Sequence, residues 1–134
     1  MEIIKDPKQI AYRASLQVER DTETQELAVF CEDLRVKAKN RTSRKEKPLT
    51  PQETNELKVK IFAVARPHLE LQYGPWWRRS GVAIQDRVVN ATADEIIALI
   101  QLSEENVLTP IQYYAPMVIE FYFQQAQREI QPKQ

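Results

Sequence analysis

Thr50-Pro51-Gln52-Glu53, Thr92-Ala93-Asp94-Glu95 and Thr109-Pro110-Ile111-Gln112 are three helix-start signatures in a chain of 134 residues that holds only two glycines, Gly74 and Gly81. At such a start the threonine hydroxyl accepts from the backbone N–H three residues on. The acid or amide there reaches back, and a proline at the first helical position gives up an N–H that has no helical partner. A β-rich fold with many tight turns calls on glycine repeatedly. Two glycines and no sustained apolar–polar alternation therefore point to an all-α fold, a single-domain bundle of five or six helices over residues 1–134. Dinucleotide and P-loop glycine motifs are excluded by the same scarcity.

Helical periodicity fills in the rest. A first helix is expected from Lys8 to Arg20, with Ile10, Ala14 and Val18 on one face. A second, capped by Asp21 or Thr22, carries Leu27, Phe30, Cys31, Leu34 and Ala38 as a 3.6-residue stripe that fades near Asn40. The third follows Thr50, with Leu57, Ile61, Val64 and Ala65 inward and a stop or kink at Pro67. Tyr73-Gly74-Pro75 breaks the chain before a short helix over Trp76 to Val89. Thr92 then opens one helix and Thr109 the last, whose regular part begins either there or at Pro116. Residues 39–49, polar and without an apolar stripe, form a flexible basic loop between helices two and three. Residues 125–134 turn polar and are expected to fray.

The net charge of zero is a sum of opposites. Residues 1–34 carry four bases and eight acids, net −4; residues 35–87 carry thirteen bases and five acids, net +8; residues 88–134 carry two bases and six acids, net −4. The basic residues concentrate in Arg35 to Lys47, RVKAKNRTSRKEK, with seven bases against one acid. Such density neutralises several phosphates in a sequence-independent, salt-dependent way. Asn40, Thr42 and Ser43 add hydrogen-bonding groups for phosphate oxygens. The alternative is a solvated connector, or a basic middle that meets acidic ends of a second copy or another protein.

Catalytic and metal chemistry find little footing. One histidine, His68, and one cysteine, Cys31, cannot supply the four ligands of a structural zinc site. Cys31 lies on the apolar stripe, where a small core residue is the simpler role, and His68 sits at a helix break as a surface or boundary residue. A Cys31–His68 pair requires a tertiary contact. No enzyme, cofactor or metal is expected. A lone cysteine excludes an internal disulfide framework and fits a reducing compartment. No stretch approaches the roughly 18–20 apolar residues of a membrane helix, and the N-terminus has no apolar run of signal-peptide length. The expected setting is cytoplasmic, without membrane contact.

Two aromatic clusters remain. In Tyr73-Gly74-Pro75-Trp76-Trp77-Arg78-Arg79, adjacent tryptophans on a helix point about 100° apart, so one anchors the core while the other reaches an edge or a partner. Arg78 and Arg79 beside an exposed indole suit a single-stranded nucleic acid; both tryptophans packing around the corner while the arginines meet acids is the plainer alternative. The last helix is apolar nearly all round, with Tyr114, Met117 and Phe121 on one face and Val118 and Tyr122 on another. That pattern belongs to a helix central to the bundle or shared with another chain.

Leu49 to Arg66, LTPQETNELKVKIFAVAR, resembles the small helical subunit of type III CRISPR effector complexes, through Leu57-Lys58-Val59-Lys60 and an aromatic helical hairpin from Ile96 to Phe123. The resemblance implies a non-catalytic protein that stacks along a ribonucleoprotein filament, with Lys58, Lys60 and Arg66 joining the basic face. Ala65-Arg66-Pro67 and the stretch from Trp76 to Val89 depart from that pattern.

The leading expectation is a non-catalytic nucleic-acid-binding subunit of a larger complex, for RNA rather than DNA. Arg35, Lys37, Lys39, Arg41, Arg44, Lys45, Lys47, Arg78 and Arg79 are its phosphate contacts. The competing expectation is a protein–protein adaptor or assembly factor, with self-association one form of it. Trp76, Trp77, Tyr114, Phe121 and Tyr122 are its candidate interface residues.

Overall fold

Asp6 opens the first helix as Thr50 opens the second: its carboxylate accepts from the Lys8 N–H at 3.0 Å, and Pro7 takes the first helical position. The computed structural model describes residues 6–41 and 49–130. Among these the chain forms five helices, α1 (Pro7–Lys39), α2 (Pro51–Tyr73), α3 (Trp76–Arg79), α4 (Val82–Leu102) and α5 (Leu108–Ile130), and no strand. The all-α expectation holds. No helix among the described residues is long and apolar enough to cross a membrane.

The first two expected helices are one. Nothing between Arg20 and Thr24 interrupts the ladder, and the Thr24 hydroxyl donates back to the Arg20 carbonyl at 2.7 Å. Asp21 and Thr22, the candidate caps, therefore lie inside α1 and open no helix. The expected inner face of the first turns shifts too. Ile10 and Val18 are exposed, and Leu16 is the buried residue there, while Leu27, Cys31 and Leu34 line the core as their spacing requires.

Of the three start signatures only Thr50–Glu53 is a cap. Thr50 Oγ1 accepts from Glu53 N at 3.1 Å, and Glu53 Oε1 accepts from Thr50 N at 3.0 Å. Leu57, Ile61, Val64 and Ala65 are fully buried, as expected. α2 then runs through Pro67, where the lost hydrogen bond and ring clash cost about 3 kcal/mol. Burial of His68, Leu69 and Leu71 beyond it offsets that cost. Gly74 at φ 64° ends α2, in backbone that residues with a Cβ rarely adopt.

Gly81, at φ 91°, splits the expected Trp76–Val89 helix after one turn. α4 continues straight through Thr92, which is wholly buried and caps nothing. α5 starts at Leu108, whose N–H donates to Asn106 Oδ1 at 2.7 Å, so Thr109 lies inside its first turn. It passes Pro116 and remains helical through Ile130. Ala126 is buried and Ile130 packs on the core, where fraying from residue 125 was expected.

α1 and α2 lie antiparallel: Tyr12 meets Glu70 at one end and Arg41 meets Glu53 at the other. The α4–α5 hairpin closes on them, and its Val88, Ile96, Ile119 and Phe123 share one core with Leu27, Leu57 and Ile61. Each fully buried side chain of this size contributes about 1.5–3 kcal/mol.

Candidate functional site

The basic run begins inside α1. Arg35, Lys37 and Lys39 occupy its last turns, Arg41 follows it, and Arg44, Lys45 and Lys47 lie outside the described residues. Arg35 turns inward rather than toward a phosphate. Its Nε and Nη2 donate to Glu32 Oε1 and Oε2 at 2.9 and 2.7 Å, and its side chain is 11% exposed. Glu32 Oε1 also accepts from the Val107 N–H at 2.9 Å, and Arg35 Nη1 donates to the Glu104 carbonyl at 3.4 Å. The pair clamps the end of α1 to the α4–α5 connection. The Arg35 guanidinium holds the Glu32 carboxyl below its usual range, aided by Val107 N–H and opposed by burial.

Other cations of the basic middle also meet acids of the same molecule. Lys37 pairs with Asp33 at 3.1 Å, Lys39 with Glu104, and Arg41 with Glu53 at 2.6 Å. Burial pushes the Glu53 carboxyl up, but Arg41 and the Thr50 N–H hold it below the usual range. Arg66 pairs with Glu19 and Arg87 with Glu129, while Lys60 stands 5.2 Å above the Phe30 ring. Exposed pairs such as Lys37–Asp33 contribute little and exchange readily. Their effect is to cancel much of the field that the sequence concentrates in this region.

The two tryptophans that follow the Gly74–Pro75 corner have opposite surroundings. Trp77 is 1% exposed, with ring centroids 5.8 Å from Phe62 and 5.7 Å from Phe123. It is a core residue and not the interface residue expected. Trp76 is 58% exposed. Arg78 Nε and Nη2 donate to Glu70 Oε2 at 3.3 and 3.2 Å, and the Tyr12 hydroxyl donates to the same oxygen at 3.1 Å. These groups line an open cleft of about 440 Å³ with Arg13 and Pro75. Arg79 is exposed and has no ion-pair partner among the described residues.

His68 is interior, not at the surface or boundary. The neutral tautomer with Nε2–H satisfies both its contacts: Nε2 donates to Glu120 Oε1 at 3.0 Å, and Nδ1 accepts from Arg20 Nη1 at 3.5 Å. Glu120 Oε2 accepts from the Tyr73 hydroxyl at 3.3 Å, and the Tyr73 hydroxyl oxygen in turn accepts from Gln124 Nε2 at 2.6 Å. This network ties α1, α2 and α5 together. Burial pushes the imidazole below its ordinary pKa, with Glu120 opposing and Arg20 reinforcing. Cys31 is fully buried, and burial pushes its thiol up to about 12. It lies three turns of α1 beyond Arg20, about 16 Å along the axis, so Cys31 and His68 do not meet. Among the described residues no cluster of three His, Cys, Asp or Glu side chains forms that could hold a metal ion.

α5 carries the most unusual surface. Ile111, Ala115, Ile119, Phe123 and Ala126 face the core. On the opposite side Tyr113, Tyr114, Met117 and Phe121 are 70%, 52%, 56% and 55% exposed. A surface helix normally turns charge to water there, yet this stripe has no ionisable side chain but the two phenols. Tyr122 is half-buried beside it, its hydroxyl donating to Glu95 on α4 at 3.2 Å. With Ala91, Asp94 and Ala98 these two residues line a shallow groove of about 370 Å³. Tyr114 and Phe121, two of the candidate interface residues, are thus exposed. Tyr113 completes the stripe; it was missed although the same helical wheel, phased on Ile111, Ala115 and Ile119, places it outward.

No protein-family model matches the chain, and no curated protein or solved structure matches it.

Proposed function

We propose that this chain is a non-catalytic helical subunit that works by binding protein through the outward face of α5. The observation that carries the reading is the Tyr113–Tyr114–Met117–Phe121 stripe. At about 200 Å² per side chain these four expose roughly 450 Å² of contiguous, largely apolar surface. That matches the largest patch of a typical monomer, about 300–600 Å² and often functional, and aromatic residues and methionine are the types enriched at protein interfaces. A reducing cytoplasm suits the unpaired, buried Cys31. The test is affinity capture from an extract of the native cell with the wild-type chain and with Phe121→Glu. A defined partner retained by the first and lost by the second is expected; identical captures refute the reading.

A second reading, binding of single-stranded RNA, is favoured by the exposed Trp76 beside Arg78 and Arg79, a stacking surface next to cations. The resemblance of the Leu57–Lys60 segment to the small type III CRISPR subunit belongs with it. Filter binding of single-stranded RNA at two salt concentrations tests it. Salt-sensitive retention that falls with Trp76→Ala and Arg79→Glu is expected, and no retention at low salt refutes it.

A further inference from the structure

We infer that the cleft where α1, α2 and α3 meet binds a free aliphatic amino acid, its ammonium on Glu70 and its carboxylate on Arg13 and Arg78. No residue of α5 lines this cleft, so the site stands apart from the docking face. Glu70 is the most withdrawn polar group around it, 6% exposed. Its Oε2 takes all three of its hydrogen bonds, from the Tyr12 hydroxyl and from Arg78 Nε and Nη2. Oε1 accepts from no group of the described residues. Nor is that oxygen sealed in: among the described residues the Thr92 hydroxyl is the one side-chain polar atom both fully enclosed and unpartnered. A buried carboxylate with one oxygen unpaired yet reachable is an acceptor for a donor from outside.

Two guanidiniums border the same space. Arg13 uses Nη1 on the Leu71 carbonyl at 3.3 Å, and Arg78, with its side chain 63% exposed, keeps Nη1 free among the described residues. Arg13, Arg78 and Glu70 together carry +1. That sign repels a simple amine, while the Glu70 carboxylate opposes a bare anion such as phosphate. A zwitterion answers both. Its carboxylate takes the unused guanidinium N–H groups in charge-assisted bonds, and its ammonium, on the neighbouring carbon, donates to Glu70 Oε1. Leu16, 3% exposed, and Pro75 add apolar wall that suits an aliphatic side chain. The cleft volume of about 440 Å³ falls within the roughly 300–1,000 Å³ of small-ligand sites.

Isothermal titration calorimetry of the full chain with L-leucine as probe tests the inference. Two analogues each lack one charge: 4-methylpentanoate has no ammonium, and 3-methylbutylamine has no carboxylate. Saturable one-to-one binding of L-leucine is expected, with each analogue weaker by about tenfold or more, the effect of losing a hydrogen bond to a charged group. Glu70→Gln preserves shape and an acceptor for Tyr12 and Arg78; it should weaken L-leucine about tenfold and leave 4-methylpentanoate no weaker. Arg13→Gln, at an exposed position, should weaken L-leucine to a similar degree and leave 3-methylbutylamine no weaker. Groups that only brace the fold would move every probe together, and that result overturns the inference. So does an absence of heat from L-leucine at about 10 mM, well above the range of a weak specific site. Inorganic phosphate binding more tightly than L-leucine overturns it as well, since that marks a plain anion site. Should Glu70→Gln fail to fold, the Arg13→Gln comparison decides alone.

Discussion

Adjacent tryptophans with opposite surroundings offer a sharp check on the packing. Trp77→Ala removes a side chain that is 1% exposed and in contact with the rings of Phe62 and Phe123. Truncating a buried aromatic residue costs about 3–5 kcal/mol through lost transfer energy and the cavity left behind. Each lost ring pair adds about 0.5–1.5 kcal/mol beyond area, so the loss belongs at the upper end of that range. Against a total stability on the order of 5–15 kcal/mol this is a third or more. At roughly 3–5 °C per kcal/mol for a chain of this length, the melting temperature falls by about 10–20 °C. Trp76→Ala removes the same chemistry from a position 58% exposed and should change stability by no more than about 0.5 kcal/mol. Urea and thermal melts followed by far-ultraviolet circular dichroism measure both losses. Fluorescence adds an independent reading, since Trp76→Phe leaves only the buried indole, with blue-shifted emission. Equal losses from the two alanine variants, or a larger loss from Trp76→Ala, would refute the assignment of their sides.

Three further outcomes are expected. Burial lowers the His68 pKa in the native state, so the unfolded chain takes up the proton more readily; stability is full above 6.5 and declines as pH falls through that value toward the lowered native one. His68→Asn should flatten that part of the stability–pH curve, and an unchanged slope refutes the neutral buried imidazole. Cys31, with its thiol pushed up to about 12, should resist alkylation in the native state and react in step with unfolding in urea; prompt labelling in buffer contradicts its burial. Thr92 is wholly buried and its hydroxyl has no hydrogen-bond partner among the described residues. Thr92→Val should therefore raise stability by about 1 kcal/mol in urea melts, and a loss of stability would show that the hydroxyl is satisfied.

Helical class was legible because periodicity and glycine scarcity act on every residue at once. Boundaries were less so, because a local capping pattern competes with tertiary burial. Thr50 caps a helix because Pro51 cannot donate to a preceding turn and Glu53 reaches back to the Thr50 N–H. Thr92 meets the same pattern between Val88 and Ile96, two core residues one turn either side, and burying both keeps the helix going. Pro67 is overridden in the same way by Leu69 and Leu71. The stripe on α5 was half legible: the wheel separates Tyr114, Met117 and Phe121 from Val118 and Tyr122, but only packing says which face looks out. The basic residues show the opposite limit. A run of like charges is visible in sequence, whereas the carboxylates that meet Arg35, Lys39 and Arg41 arrive from other turns and other helices.

The Gln112–Gln25 contact between α5 and α1 gains meaning from the block pattern of charge. Gln25 belongs to residues 1–34 and Gln112 to residues 88–134, each of net −4, while residues 35–87 between them carry +8. A neutral amide pair joins the two acidic ends of the sequence there without a carboxylate facing a carboxylate. Glu19, Glu104 and Glu129 meanwhile reach Arg66, Lys39 and Arg87 of the middle third. The acidic ends thus reach the basic middle through ion pairs and meet one another here through uncharged amides.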